Sequence, residues 1–447
     1  MRQALALAAA LPLVLFAAPA QADVPILVAP PAPAPASDLP VVAGPESTEA
    51  PAPAGDWYLL HAGIRPRLAT FGGVGTLALA QGRVHHFYGL AAFATVRQDA
   101  GVFVGLTELS LGQANAERFY GVAQLGLSKN LAGDFAGVTQ LSLAHDDAEH
   151  FRGALQLAPY VRAGDFAGIA QVGGWDRTEG DFAGALELGL VHAEADRFTG
   201  IAQVSLAHLA TRDFEGATMV APYAHTKDFA GGVQVGVFAR DDERFTGGLQ
   251  LGLMNAVGSG GFLDGNEDGS FTGLAQLGVV DWNDGHFTGA VQAGALSIAT
   301  RGFDGLAQVG LFSGTARDMW APLQIGVGTY AEKFHGLAQI GAVNVGETVD
   351  GAQLGGVNVA SDHQAGAQIG LLDVSGDIRG AQIGLVNVAD EVRGVQIGLV
   401  NHAKSLRGLQ IGVVNHAEDG SLVPWSTILN MGFGSDGGVA PLAARNE

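Results

Sequence analysis

A phenylalanine and a glycine two residues apart recur along most of this chain at a spacing of 15 or 16. The pairs run Phe119-Gly121, Phe135-Gly137, Phe151-Gly153, Phe166-Gly168, Phe182-Gly184, Phe198-Gly200, Phe214-Gly216, Phe229-Gly231 and Phe245-Gly247. Phe87 and Phe103 extend the series backwards. Phe271, Phe287, Phe303 and Phe334 resume it after one insertion, and Met319 takes the Phe place once. Towards the C-terminus the period shortens to 14, as Gly380-Ala381-Gln382-Ile383-Gly384-Leu385, Gly394-Val395-Gln396-Ile397-Gly398-Leu399 and Gly408-Leu409-Gln410-Ile411-Gly412-Val413. A phase held from Phe87 to Val413 makes each unit one small structural piece, which shelters its apolar surface against its neighbours.

Within a unit the pattern has period two. From Phe198 to Leu206 one expected face carries Phe198, Gly200, Ala202, Val204 and Leu206, and the other Thr199, Ile201, Gln203 and Ser205. That is a β-strand with unlike faces. A helix would need apolar residues every three to four positions, and the 67 glycines would each cost it about 1 kcal/mol relative to Ala. Stretches such as Asp146-Asp147-Ala148-Glu149 and Arg240-Asp241-Asp242-Glu243 have turn compositions.

The chain is therefore expected to be all-β, built from tandem 14–16-residue repeats, and two architectures compete. In an antiparallel meander each unit is one strand and one turn, and about two dozen strands would close into a β-barrel. In a β-solenoid each unit is one coil of parallel strands. The polar remainder of each unit favours the meander, because a coil needs a second inward-facing segment. An alternation of Gly-Ala-Leu (153–155, 184–186) with Gly-Ile-Ala (168–170, 200–202) fits up- and down-strands. The barrel would set Phe residues at two rims and point Gln124, Gln140, Gln171, Gln203, Gln276, Gln308 and Gln339 into a lumen. It would place Phe198 nearest Phe229, whereas a solenoid stacks Phe198 on Phe214. In either fold, lysine is expected to be harmful at Ile397 and mild at Gln396.

Residues 1–22 read as a cleaved secretory signal peptide: Arg2, an apolar stretch to Ala18, then Ala20-Gln21-Ala22. Residues 23–55 form a Pro/Ala-rich linker containing Pro30-Pro31-Ala32-Pro33-Ala34-Pro35. The repeat domain is assigned to 56–433 and a disordered tail to 434–447. Export implies an oxidising compartment, yet the chain has no Cys, so pairing and burial must hold it together. A net charge of −21 opposes nucleic-acid and anionic-headgroup binding.

Nothing reads as an enzyme. There is no Gly-x-Ser-x-Gly elbow, phosphate loop or His-Glu-x-x-His, and the Gly-x-x-Gln-x-Gly strings lack the strand-to-helix context of a nucleotide site. The histidines, such as His145, His150, His192 and His225, read as turn residues, and His402 with His416 keeps one phase of the repeat. Asp264, Asn266 and Asp268, followed by Gly269, match the first half of a calcium loop. The twelfth position is Ala275, where a bidentate Glu is needed. An acidic solvated loop is thus the leading reading, calcium the alternative, and no cofactor is expected.

The Gly-x-Gln-Ile-Gly-Leu-x-Asn units at 380–387, 394–401 and 408–415, with Val413 replacing Leu in the last, resemble a family of bacterial surface-repeat proteins. That family carries tandem units of this form and often closes on an apolar segment like Trp425 to Phe433. The match covers 351–433, and the upstream Phe-x-Gly units look like diverged copies with one extra residue between Gly and Gln. The resemblance implies an exported, surface-associated protein without assigned activity. The expectation is a protein of the outer membrane or cell surface of a Gram-negative bacterium. Its role would be structural, pore-forming or surface-interacting, with outer-membrane lipid or cell-surface components as partners and neither nucleic acid nor nucleotide. The alternative is a secreted β-solenoid acting as an adhesion or binding module.

Overall fold

The computed structural model describes residues 56–258 and 269–433. The signal peptide, linker and tail assigned above, and the calcium-loop candidates Asp264, Asn266 and Asp268, lie outside the described residues. The described body is a β-solenoid of about 21 turns, not a barrel.

Pairing is parallel from the first coil onward. Thr139, Gln140 and Leu141 sit opposite Ala123, Gln124 and Leu125 of the previous coil and Leu155, Gln156 and Leu157 of the next. Phe198 lies beside Phe214, and Phe214 beside Phe229. The phenylalanines therefore form one row rather than two rims, buried from Phe71 to Phe334. Ring centroids of Phe87 and Phe103 are 4.7 Å apart and those of Phe198 and Phe214 are 5.1 Å apart, with planes within 3° of parallel. Such contacts contribute about 0.5–1.5 kcal/mol each beyond area burial. In the 14-residue units aliphatic residues take over this row, as Ile378, Val392 and Leu406.

The meander expectation failed for two physical reasons. First, the segment taken for a hairpin turn is the missing second side of the coil. His192 to Ala195 is extended, pairs with His208 to Thr211, and turns Ala193 and Ala195 inward. Its inward residues are small, so its composition resembles a turn. Second, the alternation does not run through the unit unchanged. Phe198, Gln203 and Ser205 face in, while Ile201 and Leu206 are 62% and 65% exposed. The phase slips between Phe198 and Gln203, around Gly200, so the face assigned to Gly200, Ala202, Val204 and Leu206 is not the buried one. The Gly-Ala-Leu and Gly-Ile-Ala alternation has a different origin as well. Ala154-Leu155 lies against Ile169-Ala170, large beside small in adjoining coils, which relieves crowding between rows.

Differences in unit length are absorbed outside the phenylalanine and glutamine rows. A bulge between Ala163 and Phe166 takes up one extra residue of the next coil. The long insertion after Gly258 leaves Phe245 paired directly with Phe271 and Gln250 with Gln276. At the C-terminal end Trp425–Phe433 turns back and pairs antiparallel with Arg407 to His416, covering the last coil.

Candidate functional site

The interior of a coil is partly amide. Gln124, Gln140, Gln156, Gln276, Gln308, Gln339, Gln382 and Gln410 are fully buried. Apart from Gln124, which donates to Glu108, each Nε2 donates to the Oε1 of the glutamine one coil earlier: Gln140 to Gln124 at 2.9 Å, Gln276 to Gln250 at 2.7 Å, Gln396 to Gln382 at 2.7 Å. The second amide hydrogen reaches a main-chain carbonyl across the core, as from Gln382 to Val388 at 3.2 Å. The glutamines do point inward, but into a packed core instead of a lumen. Each glutamine unit must satisfy two amide hydrogens and one oxygen in a dry interior, which holds the register strictly.

A second buried row is made of asparagines, and its donors point the other way. Asn344 donates to Asn358 at 2.8 Å, Asn387 to Asn401 at 2.7 Å, and Asn401 to Asn415 at 2.7 Å, each one coil later. Buried carboxyl groups stand at the donor-receiving ends of both rows. Gln124 donates to Glu108 and Gln203 to Glu187, while Asn130 donates to Asp146, Asn255 to Asp281 and Asn358 to Asp373. Asp241 accepts from Gln234, Gln250 and Thr226. Asp176 sits beside Val161 with no side-chain partner.

Burial dominates the protonation of all seven. It raises Asp373 to about 6, Asp146 and Asp281 to about 7, Glu187 and Asp241 to about 8 and Asp176 to about 9, the last helped by the charge of Glu187. Glu108 is likewise driven well above the ordinary carboxylate range, against the opposing hydrogen bond from Gln124. At neutral pH several of these groups are neutral acids, acting as hydrogen-bonding members of the core.

The outer surface is divided. One flank, around the Gly384-Leu385 bend and its equivalents, is aliphatic: Leu127, Leu206, Leu253, Leu311, Leu371, Leu385 and Leu399 are all exposed. Ile369, Ile383, Ile397 and Ile411 run beside them at 37–43% exposure. Half a coil away lies a charged edge whose ion pairs join successive coils. Examples are Arg162 with Asp147 (3.2 Å) and Glu179 (2.7 Å), Arg244 with Asp228 (2.8 Å), and Lys404 with Asp390 (2.7 Å).

Histidines expected in turns lie in extended segments next to this edge. His402 and His416 do stack, with centroids 5.0 Å apart and Nδ1 atoms 2.8 Å apart, and His192 with His208 repeats the arrangement at 4.9 and 2.9 Å. Burial, then the neighbouring His192 and His225, hold His208 below its ordinary value. Among the described residues no group of three His, Asp or Glu is placed to hold a metal ion. Ala275, the twelfth position of the calcium-loop candidate, pairs with Leu249 inside a coil and offers no carboxylate.

The sequence reading missed that the constant glutamine is a core residue and that the leucines are surface residues. The signal was present: a polar residue kept in nearly every unit, between neighbours that vary, occupies a place with strict chemical demands. Comparison with family models, with characterised proteins and with solved structures returned no match for the chain.

Proposed function

We propose that this chain is an exported surface-interaction module, a β-solenoid that docks by its aliphatic flank on outer-membrane lipid and turns its charged edge to water. The observation that carries this reading is the continuity of the flank, with exposed Leu or Val in most coils from Leu79 to Val413. At a rise of about 4.8 Å per coil the body is about 100 Å long, and a strip one or two side chains wide then exposes roughly 1,000 Å2 of apolar surface. Soluble monomers rarely show more than a few hundred Å2 in one patch. Burial at about 25 cal/mol per Å2 gives such a strip a strong tendency to leave water. The partner chemistry is hydrocarbon and not headgroup, because the net charge of −21 repels anionic surfaces. The pore role expected with the barrel has no place in a packed solenoid core.

Flotation of the mature protein with vesicles of zwitterionic phospholipid tests the reading. The wild type should rise with the lipid. Combined Leu371→Lys, Leu385→Lys and Leu399→Lys should leave the protein at the bottom with an unchanged circular dichroism spectrum, whereas Lys404→Gln on the charged edge should float normally. A wild-type protein that stays in the aqueous fraction, or a triple variant that floats as well as wild type, would sink the proposal.

A further inference from the structure

The asparagine row has one joint at which two oxygens face each other. Asn358 Nδ2 donates to Asp373 Oδ1 at 2.6 Å. In the next coil Asn387 Nδ2 donates onward to Asn401, at 2.7 Å. Asp373 Oδ2 and Asn387 Oδ1 are both buried and neither has a partner.

The repeat itself locates these atoms. A β-carbon placed on Gly398 would lie 2.5 Å from Asn387 Nδ2 and 3.0 Å from Asn401 Oδ1, two atoms that are hydrogen-bonded. On Gly370 it would lie 2.6 Å from Asn358 Nδ2 and 2.9 Å from Asp373 Oδ1, again a bonded pair. On Gly384, between the two, the neighbours are Asp373 Oδ2 at 2.7 Å and Asn387 Oδ1 at 3.0 Å. Asp373 Oδ2 therefore occupies the slot that an amide nitrogen fills one coil before and one coil after.

Turning the asparagine amides over does not repair the joint. Asn387 Nδ2 also donates to the Ile397 carbonyl at 2.9 Å, and Asn401 Nδ2 to the Ile411 carbonyl at 3.0 Å. A flip would set oxygen against each of these carbonyls. One hydrogen is missing from the row, and only the carboxyl group can carry it.

We propose that folded Asp373 is protonated on Oδ2 and donates to Asn387 Oδ1, so that a single bound proton joins the asparagine rows on either side. The position gives the joint leverage. The apolar core is interrupted at the buried Gln364, one coil earlier, and resumes as a separate cluster at Ile378, in the coil of Asp373. The seam between the phenylalanine-cored and aliphatic-cored blocks thus depends on its amide rows more than other joints do.

The groups facing Asp373 in the core are neutral: Asn358 and Asn387 in its own row, Gln368 and Gln382 in the other. The charged residues of its own and adjoining coils, Asp362, Asp377, Arg379, Asp390, Glu391 and Arg393, lie on the outer surface, with His363 half-buried. Burial is the leading influence on Asp373, opposed by Asn358 and the Gly370 main chain, and it raises the group to about 6. A proton held more tightly in the folded state is a stabilising ligand at low pH. Its contribution is whole below the ordinary Asp range and is lost as pH climbs through the folded value.

Hydrogen exchange of the full mature chain, followed coil by coil from pH 4 to pH 8, tests this. Between pH 4 and pH 6 the wild-type opening constant for 372–388 should rise, by up to about tenfold per pH unit for one proton, after correction for intrinsic exchange. Coils at 396–412, which hold no buried acid, serve as the internal reference. Asp373→Asn supplies the missing hydrogen covalently. It should flatten the pH response of 372–388 and protect that coil better than wild type at pH 8. In infrared difference spectra of wild type minus D373N, a protonated-acid carbonyl band should be present at pH 5 and absent at pH 8. Parallel pH responses in wild type and D373N, no such band at pH 5, or weaker protection in D373N at pH 8 would each overturn the proposal. The last outcome would mean an ionised Asp373 facing flipped amides.

Discussion

At the scale of single residues the sheet inverts the usual partition, placing amides inside and aliphatic side chains outside along one flank. Gln396 is fully buried and bonded to Gln382, Gln410 and the His402 carbonyl, whereas Ile397 beside it is 39% exposed. The expected effects of lysine at these two positions therefore exchange places. Gln396→Lys removes an acceptor and buries a charge, leaving the Gln410 amide without its oxygen, and should destabilise by about 3 kcal/mol or more. Ile397→Lys should change stability by less than about 1 kcal/mol while weakening lipid flotation. Chemical unfolding of both variants checks the pair; equal losses would contradict the assignment of inner and outer faces.

At the scale of one coil, what could be read from the sequence was the period, the strands and the single phenylalanine phase. The path of the chain around the corner could not be read. Gly394 shows why: its φ of 151° is one that side chains rarely adopt, and a β-carbon there would sit 1.9 Å from the Gly380 carbonyl oxygen. Gly380 and Gly408 repeat this geometry, with φ of 147° and 149°. Such glycines look in the sequence like the small residues of any sheet, although here they bring successive coils into close main-chain contact. The second side of the coil was hidden for a related reason, since Ala193, Ala195 and Ala389 are too small to mark an inward face by hydrophobicity. Gly394→Ala should cost about 1–3 kcal/mol through backbone strain alone, and more through the clash. Gly356→Ala, whose β-carbon would meet the Ala342 oxygen no closer than 3.0 Å, should cost less. Unfolding midpoints of the two variants compare the sites directly, and a harmless G394A would mean that the corner is wrongly drawn.

At the scale of the whole molecule the stack is one-dimensional, so each buried acid acts on its own joint and the effects accumulate along the axis. Asp373, Asp146, Asp281, Glu187, Asp241 and Asp176, raised to values from about 6 to about 9, all bind their protons more tightly folded than unfolded. Between the ordinary carboxyl range and those values the unfolded chain holds fewer protons, so stability falls as pH rises, by up to about 1.4 kcal/mol per unit for each titrating group. The charged edge works in the other direction. Glu179, held down by its hydrogen bond from Arg162, and Glu194, held down by His192, lose their contribution only as pH drops through their lowered values. Both are partly exposed, so solvent screening keeps that loss small. The two effects place maximal stability near pH 4, at the ordinary carboxyl range, with a decline that runs from there through pH 5 and pH 7 towards pH 9. Thermal unfolding of the mature chain at pH 5, 7 and 9 should show midpoints falling in that order. A profile that is flat, or that rises towards pH 9, would show that the buried carboxyls are ionised in the folded chain and that the core is not closed to water around them.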